Sequence, residues 1–315
     1  MCRCIVLPMV VALTLAAAVS RSPAADVTAK TSPRGVVVTI DGEMFTEYLT
    51  HSGAKPILWP VLGPTGKPMT RAYPMGEAPN EKKDHVHQRS LWFTHGKVNG
   101  VDFWAEGSKF GKIVHRRFVK VASGAEAVVV AENDWLGPDG KKVCEDQRRL
   151  RFGAGENARW VDFDITIKAS EGPVKFGDTK EGTFGIRVAE TMKVDAPGKG
   201  RIVNSEGQTN QAAWGRKAAW VDYSGPVDGQ TVGIAVLNHP KSFRFPTHWH
   251  VRTYGLFAAN PFGLHDFPGG EKLDGSHVVP AGESISFYYR VLLHKGDDKE
   301  GRVSEAYQAY SALAK

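Results

Sequence analysis

Two closely spaced pairs of histidines are the first residues of this sequence that could carry chemistry. His85 and His87 form one pair, and His248 and His250 form the other, in a chain with 11 histidines. Alternate residues of an extended strand point to the same side, so an extended segment would place both imidazoles of a pair on one face. Two such imidazoles can share a metal ion, or one can transfer a proton while the other orients the substrate. Two pairs in one chain favour a common polar pocket.

An acidic residue and a further histidine complete the set of candidate catalytic groups. Glu181 stands in a turn between the two pairs and could act as a general base or a metal ligand. His95 follows the first pair within the same short stretch. We expect Glu181 and His95 to line the wall of the pocket that the paired histidines face. The alternatives are structural: surface or hydrogen-bonded core histidines, and a solvated loop glutamate.

Five residues near these groups are candidates for substrate binding. Arg89 and Arg187 could hold a carboxylate with two parallel hydrogen bonds, or they could form structural ion pairs. Trp92 and Trp249 could stack on a ligand, although core packing is the commoner role of tryptophan. Asn260, in the segment that follows the second pair, could donate and accept hydrogen bonds.

The same donors support a second interpretation, a metal site built from both pairs and Glu181. Zinc, iron or copper would each accept imidazole ligands, so the sequence does not choose among them. The acid–base interpretation requires no cofactor. The sequence has no Gly-rich phosphate loop, no His-Glu-x-x-His and no Cys-x-x-Cys, and it therefore gives no support to the chemistries that depend on those motifs.

Short strands broken by turn residues must position these groups. From Val36 onward, β-branched and aromatic runs alternate with turn residues, and Asp41-Gly42 predicts a tight hairpin turn. The clearest antiparallel meander is predicted over residues 113–122, 127–135, 141–152 and 159–169.

The last of these runs has the alternation of a strand with one buried and one polar side. Its apolar positions are Val161, Phe163, Ile165 and Ile167. Further strands are predicted over residues 182–192, 218–223, 231–237, 254–259 and 284–294, and a closing helix over residues 302–314. The pattern predicts an all-β fold, a large two-sheet antiparallel β-sandwich with a short C-terminal helix.

The first 25 residues have the order of a secretory signal: a basic residue, an apolar run over residues 5–19, and small residues before Ala25. An uncleaved anchor is the alternative, but the run is shorter than the roughly 20 residues that a spanning helix needs. We therefore expect residues 1–25 to be a signal peptide and residues 26–315 to form a single β-sandwich domain. The mature protein would be periplasmic or secreted, with no membrane span after cleavage.

The charges of the mature chain argue against a nucleic-acid partner. Removing Arg3 and Arg21 leaves 38 Lys and Arg residues (40 minus 2) against 34 Asp and Glu residues. Basic runs are no longer than pairs such as Arg116-Arg117. A nucleic-acid binder concentrates its positive charge on one face or stripe, which this pattern does not predict.

Three motifs resemble a family of secreted bacterial proteins that carries the legacy label "methane oxygenase PmoA". They are DHVHQRSLWFTHGKVNGVDFW, EGTFGIRVAE and FPTHWHVRTYGLFAANPFG, and the resemblance runs from about residue 35 to the closing helix. True membrane-bound methane monooxygenase subunits are built from spanning helices. This chain has no mature spanning segment, so methane oxidation is rejected as its function.

The resemblance implies occurrence among polysaccharide-degrading bacteria and a large sandwich of the galactose mutarotase type. In that fold, histidines and a carboxylate on the concave sheet pass protons to and from a sugar, which implies candidate roles for His85, His87, His95, Glu181, His248 and His250. The hypothesis is an extracytoplasmic enzyme acting on a sugar or oligosaccharide, as an epimerase, lyase or hydrolase. The alternative is a glycan-binding module without turnover, in which Trp92, Trp104 and Trp249 stack on the ligand.

Overall fold

The computed structural model describes residues 1–2 and 25–315. The predicted signal peptide lies almost entirely outside the described residues. Within the described part of the chain, no helix is long and apolar enough to cross a membrane.

Strands make up nearly all of the regular structure. In chain order the first nine are β1 (Val27–Ser32), β2 (Gly35–Ile40), β3 (Glu43–Ser52), β4 (Lys55–Val61), β5 (Leu91–His95), β6 (Lys112–Ala122), β7 (Ala127–Leu136), β8 (Lys142–Gly155) and β9 (Ala158–Lys168). The next nine are β10 (Val174–Phe176), β11 (Gly182–Arg187), β12 (Arg201–Asn204), β13 (Trp220–Val227), β14 (Gln230–Asn238), β15 (His248–Val251), β16 (Leu256–Asn260), β17 (His277–Val279) and β18 (Ser284–Lys295). Short 3-10 helices span Glu190–Met192 and Asn210–Ala213, and the helix α1 spans Val303–Ser311.

The strands form two eight-stranded sheets. The first sheet has the order β1-β2-β3-β4-β5-β11-β16-β15, and the second has the order β12-β13-β14-β18-β9-β8-β7-β6. Strands β10 and β17 form a separate two-stranded ribbon. The paired strands are antiparallel, and β6 to β9 are consecutive neighbours, which confirms the predicted meander.

The hydrophobic core lies between the two sheets. Phe93 of the first sheet stacks on Phe163 of the second with ring centroids 6.4 Å apart, and Phe184 stacks on Tyr289 at 4.8 Å. The alternating apolar positions of β9 are each at most 2% exposed, as the strand period requires. These contacts confirm the predicted two-sheet sandwich, and α1 confirms the closing helix over a shorter range than predicted.

The first sheet also carries a smaller apolar layer on the side away from the core. The strand register places Trp92, Gly185 and Ala258 side by side across β5, β11 and β16. Phe93 and Phe184, one position along, face the core. The outer layer consists of Leu49, Ile57, Trp92, Trp104, Leu256 and Ala258. Tyr254 packs against this layer from the outer side of the sheet.

Candidate functional site

The first histidine pair lies on a loop and not on a strand. His85 has a φ of 44°, and residues 86 and 87 form a turn before β5. The prediction that an extended segment aligns this pair was therefore wrong. The two imidazoles nevertheless lie together, with ring centroids 5.9 Å apart.

Arg71 holds this loop in its turned conformation. Its Nη1 donates to the backbone carbonyl of Asp84 at 2.9 Å and to Oδ1 of the same residue at 2.8 Å. Its Nη2 donates to the carbonyls of His85 and Gln88 at 2.8 and 2.9 Å. Successive carbonyls of an extended strand point in opposite directions, so they could not converge on one guanidinium in this way. Arg71 is only 1% exposed, and burial lowers its pKa to about 10.

Tyr254 is the aromatic platform beside this loop. It lies in the turn between β15 and β16, and His85 stacks on its ring at a centroid distance of 5.6 Å and an interplanar angle of 12°. The guanidinium groups of Arg187 and Arg252 lie 4.8 and 5.7 Å from the same ring. Burial raises the pKa of Tyr254, so its hydroxyl stays protonated at neutral pH and can donate a hydrogen bond.

The second histidine pair lies on β15, and here the predicted extended segment is confirmed. His248 pairs with Asn260 and His250 pairs with Ala258 across the strand ladder, which places both imidazoles on the side of the outer apolar layer. His250 is 3% exposed, and the indole Nε1 of Trp214 donates to its Nδ1 at 2.9 Å.

Arg252 connects the two pairs. Its guanidinium lies 5.5 Å from the Trp214 ring and 5.7 Å from the Tyr254 ring. A series of contacts therefore runs from the first pair to the second along one side of the first sheet. We call this surface the histidine face; it consists of His85, His87, Tyr254, Arg252, Trp214 and His250. Three side chains of this series lie between the two pairs. A single small ligand that touches both pairs therefore stays a prediction.

His95 lies on the opposite side of the sheet. It has the same position in the strand period as Phe93, which faces the sandwich core. Its ring lies 5.0 Å from that of Phe262, its Nε2 is 2.8 Å from the carbonyl oxygen of Gly177, and it is 0% exposed. The expectation that His95 lines the wall of the histidine pocket is therefore corrected: it is a core histidine.

Glu181 lies at the edge of the histidine face. Its side chain is 37% exposed, and its Oε1 is 3.4 Å from Nζ of Lys180. Burial is the main cause of the raised pKa of Tyr254, and the negative charge of Glu181 adds to it. The carboxylate is therefore close enough to act on the Tyr254 hydroxyl electrostatically.

The two predicted binding arginines are engaged within the protein. Arg187 is 0% exposed, its Nη2 lies 3.2 Å from Oδ1 of Asp84, and its Nη1 donates to Gln88. Arg89 forms a paired contact with Glu106, in which Nε–Oε1 and Nη2–Oε2 are each 2.8 Å. Both arginines therefore form structural ion pairs beside the first histidine pair, which is the alternative role that the sequence left open for them.

The other three predicted binding residues are also buried. Trp92 is 1% exposed, and Trp249 and Asn260 are 0% exposed. The Trp249 indole donates to the carbonyl of Ala218 at 3.0 Å, and Asn260 donates to that of Thr179 at 2.9 Å. These side chains are not accessible to a ligand, so the expectation of direct contact is corrected to a packing role.

Sequence reasoning missed an ion cluster below the first pair. Lys55, which is 0% exposed, contacts Oε1 of Glu106 at 2.9 Å. Burial lowers the pKa of Lys55 to about 8. Burial also lowers the pKa of His87 to about 4, and the charge of Lys55 contributes. A single lysine in the apolar run of β4 was the one sequence signal for this cluster.

The imidazoles of His87, His248 and His250 are neutral near pH 7. Burial lowers their pKa values to about 4, 4 and 3. These groups can donate and accept hydrogen bonds, but they are not imidazolium acids at neutral pH. Across the described ranges, no three His, Cys, Asp or Glu side chains converge as metal ligands would. The alternative metal centre, built from both pairs and Glu181, is thus not formed in this structure.

A protein-family model described as a family of unknown function (DUF6807) matches residues 35–308. The chain belongs to this family. The matched range contains the whole histidine face and has nearly the extent predicted for the resemblance. The DUF6807 description names no activity and does not carry the methane oxygenase label. The resemblance to the family with that label therefore stays a prediction.

No curated protein matches this DUF6807 chain in sequence. Solved structures similar to it include a GH36 α-galactosidase from Geobacillus stearothermophilus, with 10% identity, a TM-score of 0.45, and coverage of 86% of this chain and 41% of that one. A glycoside hydrolase family 97 enzyme from Pseudoalteromonas sp. strain K8, in complex with acarbose, has 11% identity, a TM-score of 0.33, and coverage of 87% and 34%.

A galactose mutarotase related enzyme from Lactobacillus acidophilus has 10% identity, a TM-score of 0.28, and coverage of 86% of this DUF6807 chain and 97% of its own. The chain spans less than half of the length of the two glycoside hydrolases. With TM-scores below 0.5, these likenesses carry no argument about activity.

Proposed function

We propose that this protein is an extracytoplasmic carbohydrate-active enzyme that binds a sugar on the histidine face and transfers protons there, as an epimerase, lyase or glycoside hydrolase. The observation that carries the proposal is the stacked pair of His85 and Tyr254, with His87 beside it. An aromatic surface with a few convergent polar groups is the usual composition of a small-ligand site. The predicted signal peptide supports a site of action outside the cytoplasm.

In this proposal His85 transfers the proton and Asp84 orients it. Nδ1 of His85 lies 3.3 Å from Oδ2 of Asp84, and the His85 side chain is 43% exposed. Burial opposes ionisation of Asp84, but the charge of Arg187 and the hydrogen bond from His85 hold its pKa below the usual value. An ionised carboxylate that fixes one ring nitrogen leaves the other free to exchange a proton with a substrate.

The neighbouring groups supply the remaining hydrogen bonds. His87 is neutral near pH 7 and can accept or donate a hydrogen bond to a sugar hydroxyl. The protonated hydroxyl of Tyr254 is a donor, and Glu181 at the edge of the face provides a second carboxylate. Proton transfer on a sugar requires a base, hydrogen-bond donors and a surface that binds the ring. In this proposal His85 is the base, and Tyr254 and His87 provide the donors.

His85→Gln is expected to lower turnover by roughly 100-fold or more, because glutamine cannot exchange a proton near pH 7. The melting temperature should change by only a few degrees, since the side chain is half exposed. The wild-type protein is first screened against plant and algal oligosaccharides, with products identified by mass spectrometry. The variant is then assayed on the best substrate.

The matched control is His51→Gln, which alters an exposed histidine on β3. It should retain wild-type turnover. Full activity in the His85 variant would overturn the assignment of the proton-transfer group. Binding of an oligosaccharide by the wild-type protein without any product would favour the alternative, a glycan-binding module. The stacking residues predicted for it, Trp92, Trp104 and Trp249, are buried, so Tyr254 and Trp214 would have to contact the glycan.

A further inference from the structure

Arg252 differs from the arginines near the histidine face in having no acidic partner. Arg71 and Arg187 both contact Asp84, and Arg89 contacts Glu106. Within residues 25–315, the Arg252 guanidinium lies near the rings of Trp214 and Tyr254 and forms no ion pair. Its positive charge is therefore not neutralised by any carboxylate of the described chain.

The two rings also restrict how this guanidinium is oriented. The group lies 5.5 Å from one ring centroid and 5.7 Å from the other, and Arg252 is half-buried. Arginine binds aromatic faces through its planar group while its N–H edge remains available for hydrogen bonds. That edge matches a carboxylate, which it binds with two parallel hydrogen bonds. Arg252 is thus oriented in a way that suits the binding of a carboxylate.

Arg252 lies close in the chain to residues of the proposed sugar-binding site. It stands two residues before Tyr254 in the turn between β15 and β16 and two residues after His250. A sugar bound beside the stacked pair of His85 and Tyr254 would hold its substituents next to the guanidinium. The nearby carboxylates do not compete, because Asp84 is bound by two arginines and Glu181 lies by Lys180.

We infer that the sugar bound on the histidine face is acidic, a uronate unit whose carboxylate is held by Arg252. This inference rests on the proposed function, because it places the sugar at the same pair of His85 and Tyr254. The two parallel hydrogen bonds between Arg252 and the carboxylate would form at a half-buried site, where they contribute substantially to the affinity for the sugar. Neutral sugars of the same size are expected to bind more weakly.

The test is isothermal titration calorimetry with trigalacturonate, a sulfated carrageenan oligosaccharide and neutral cellotriose. Wild-type protein should prefer trigalacturonate, and added salt should weaken that binding. Arg252→Gln should bind trigalacturonate at least 10-fold more weakly and should weaken cellotriose binding much less. Arg252→Lys keeps the charge but lacks the planar guanidinium, so its affinity for trigalacturonate should lie between those of the wild type and Arg252→Gln. It replaces the glutamine variant in the test if that variant is unstable.

Arg216→Gln removes the same charge from an exposed neighbouring position and should behave as wild type. Cellotriose bound or converted as well as trigalacturonate, with no effect of Arg252→Gln, would overturn the inference and leave the proposed function standing. Preference for the sulfated oligosaccharide would overturn the assignment of a carboxylate. An absence of binding to all three, and of products from the wider oligosaccharide screen, would defeat both proposals.

Discussion

Arg71→Met is expected to abolish activity and to lower the free energy of unfolding by about 1–3 kcal/mol, the usual effect of leaving a buried hydrogen-bonding group without its partner. The guanidinium satisfies three backbone carbonyls and one carboxylate oxygen in the loop that carries His85 and His87. Without it the carbonyl of Gln88 is left unpaired in a buried environment, and the acceptors of Asp84 and His85 are left unpaired in a partly buried one. The loop must then open, and His85 leaves the ring of Tyr254.

Urea denaturation and turnover on the best oligosaccharide measure the two effects. Arg71→Lys keeps the charge but cannot bond all four oxygens, so an intermediate loss is expected. Arg201→Met is the control, because its ion pair with Asp298 is 42% exposed on the arginine side and should contribute less than about 1 kcal/mol. An Arg71→Met protein with wild-type stability and turnover would contradict the role of this residue in holding the loop.

Acidification from pH 6.5 to pH 4 is expected to destabilise the protein strongly. Burial lowers the pKa of His95 to about 4 and that of His250 to about 3, from an ordinary value of 6.5. Below pH 6.5 the unfolded chain binds protons that the folded chain does not. The stability that these neutral imidazoles contribute is complete above pH 6.5 and is lost as the pH falls toward their folded pKa values.

The expected loss is about 3 kcal/mol for each of these two residues at pH 4, since one pKa unit corresponds to about 1.4 kcal/mol. The sum is comparable with the whole stability of an ordinary domain. His294 acts in the opposite sense: burial lowers its pKa, but the hydrogen bond and charge of Asp222 raise it overall, so its contribution is retained in acid.

Thermal and urea denaturation between pH 7.5 and 4 measure this dependence. His95→Gln should be less stable than the wild type at pH 7.5 and should lose less stability on acidification, because one buried titrating group is gone. The exposed His51→Gln variant should retain the wild-type slope. Equal slopes for wild type and His95→Gln would show that His95 is not the source of the acid sensitivity.

Local patterns in the sequence predicted the sandwich because neighbouring antiparallel strands depend on alternation and turn chemistry. The turn at Asp41-Gly42 connects β2 and β3 with both residues at positive φ, 51° and 83°. The alternation in β9 identified its core side. The extended segment at His248 and His250 followed from the same period and is confirmed.

Alternation did not reveal the direction of His95, because the first sheet has apolar layers on both sides. All five residues of β5 are buried, so hydrophobicity does not distinguish its two faces. The same two-sided burial hides Trp92 and Asn260 from ligands. In β9, Asp162 has a polar position but is 0% exposed, because Arg151 and Arg290 bind it.

The sequence by itself determined the two-sheet sandwich, its closing helix and the shared face of the second histidine pair, since each depends on residues close together in the chain. The tertiary structure alone decided which groups surround the first pair. Arg71 reaches its loop from 13 to 17 residues away, and Tyr254 reaches it from another sheet edge. Such contacts depend on how distant segments pack, and no local spacing of residues encodes them.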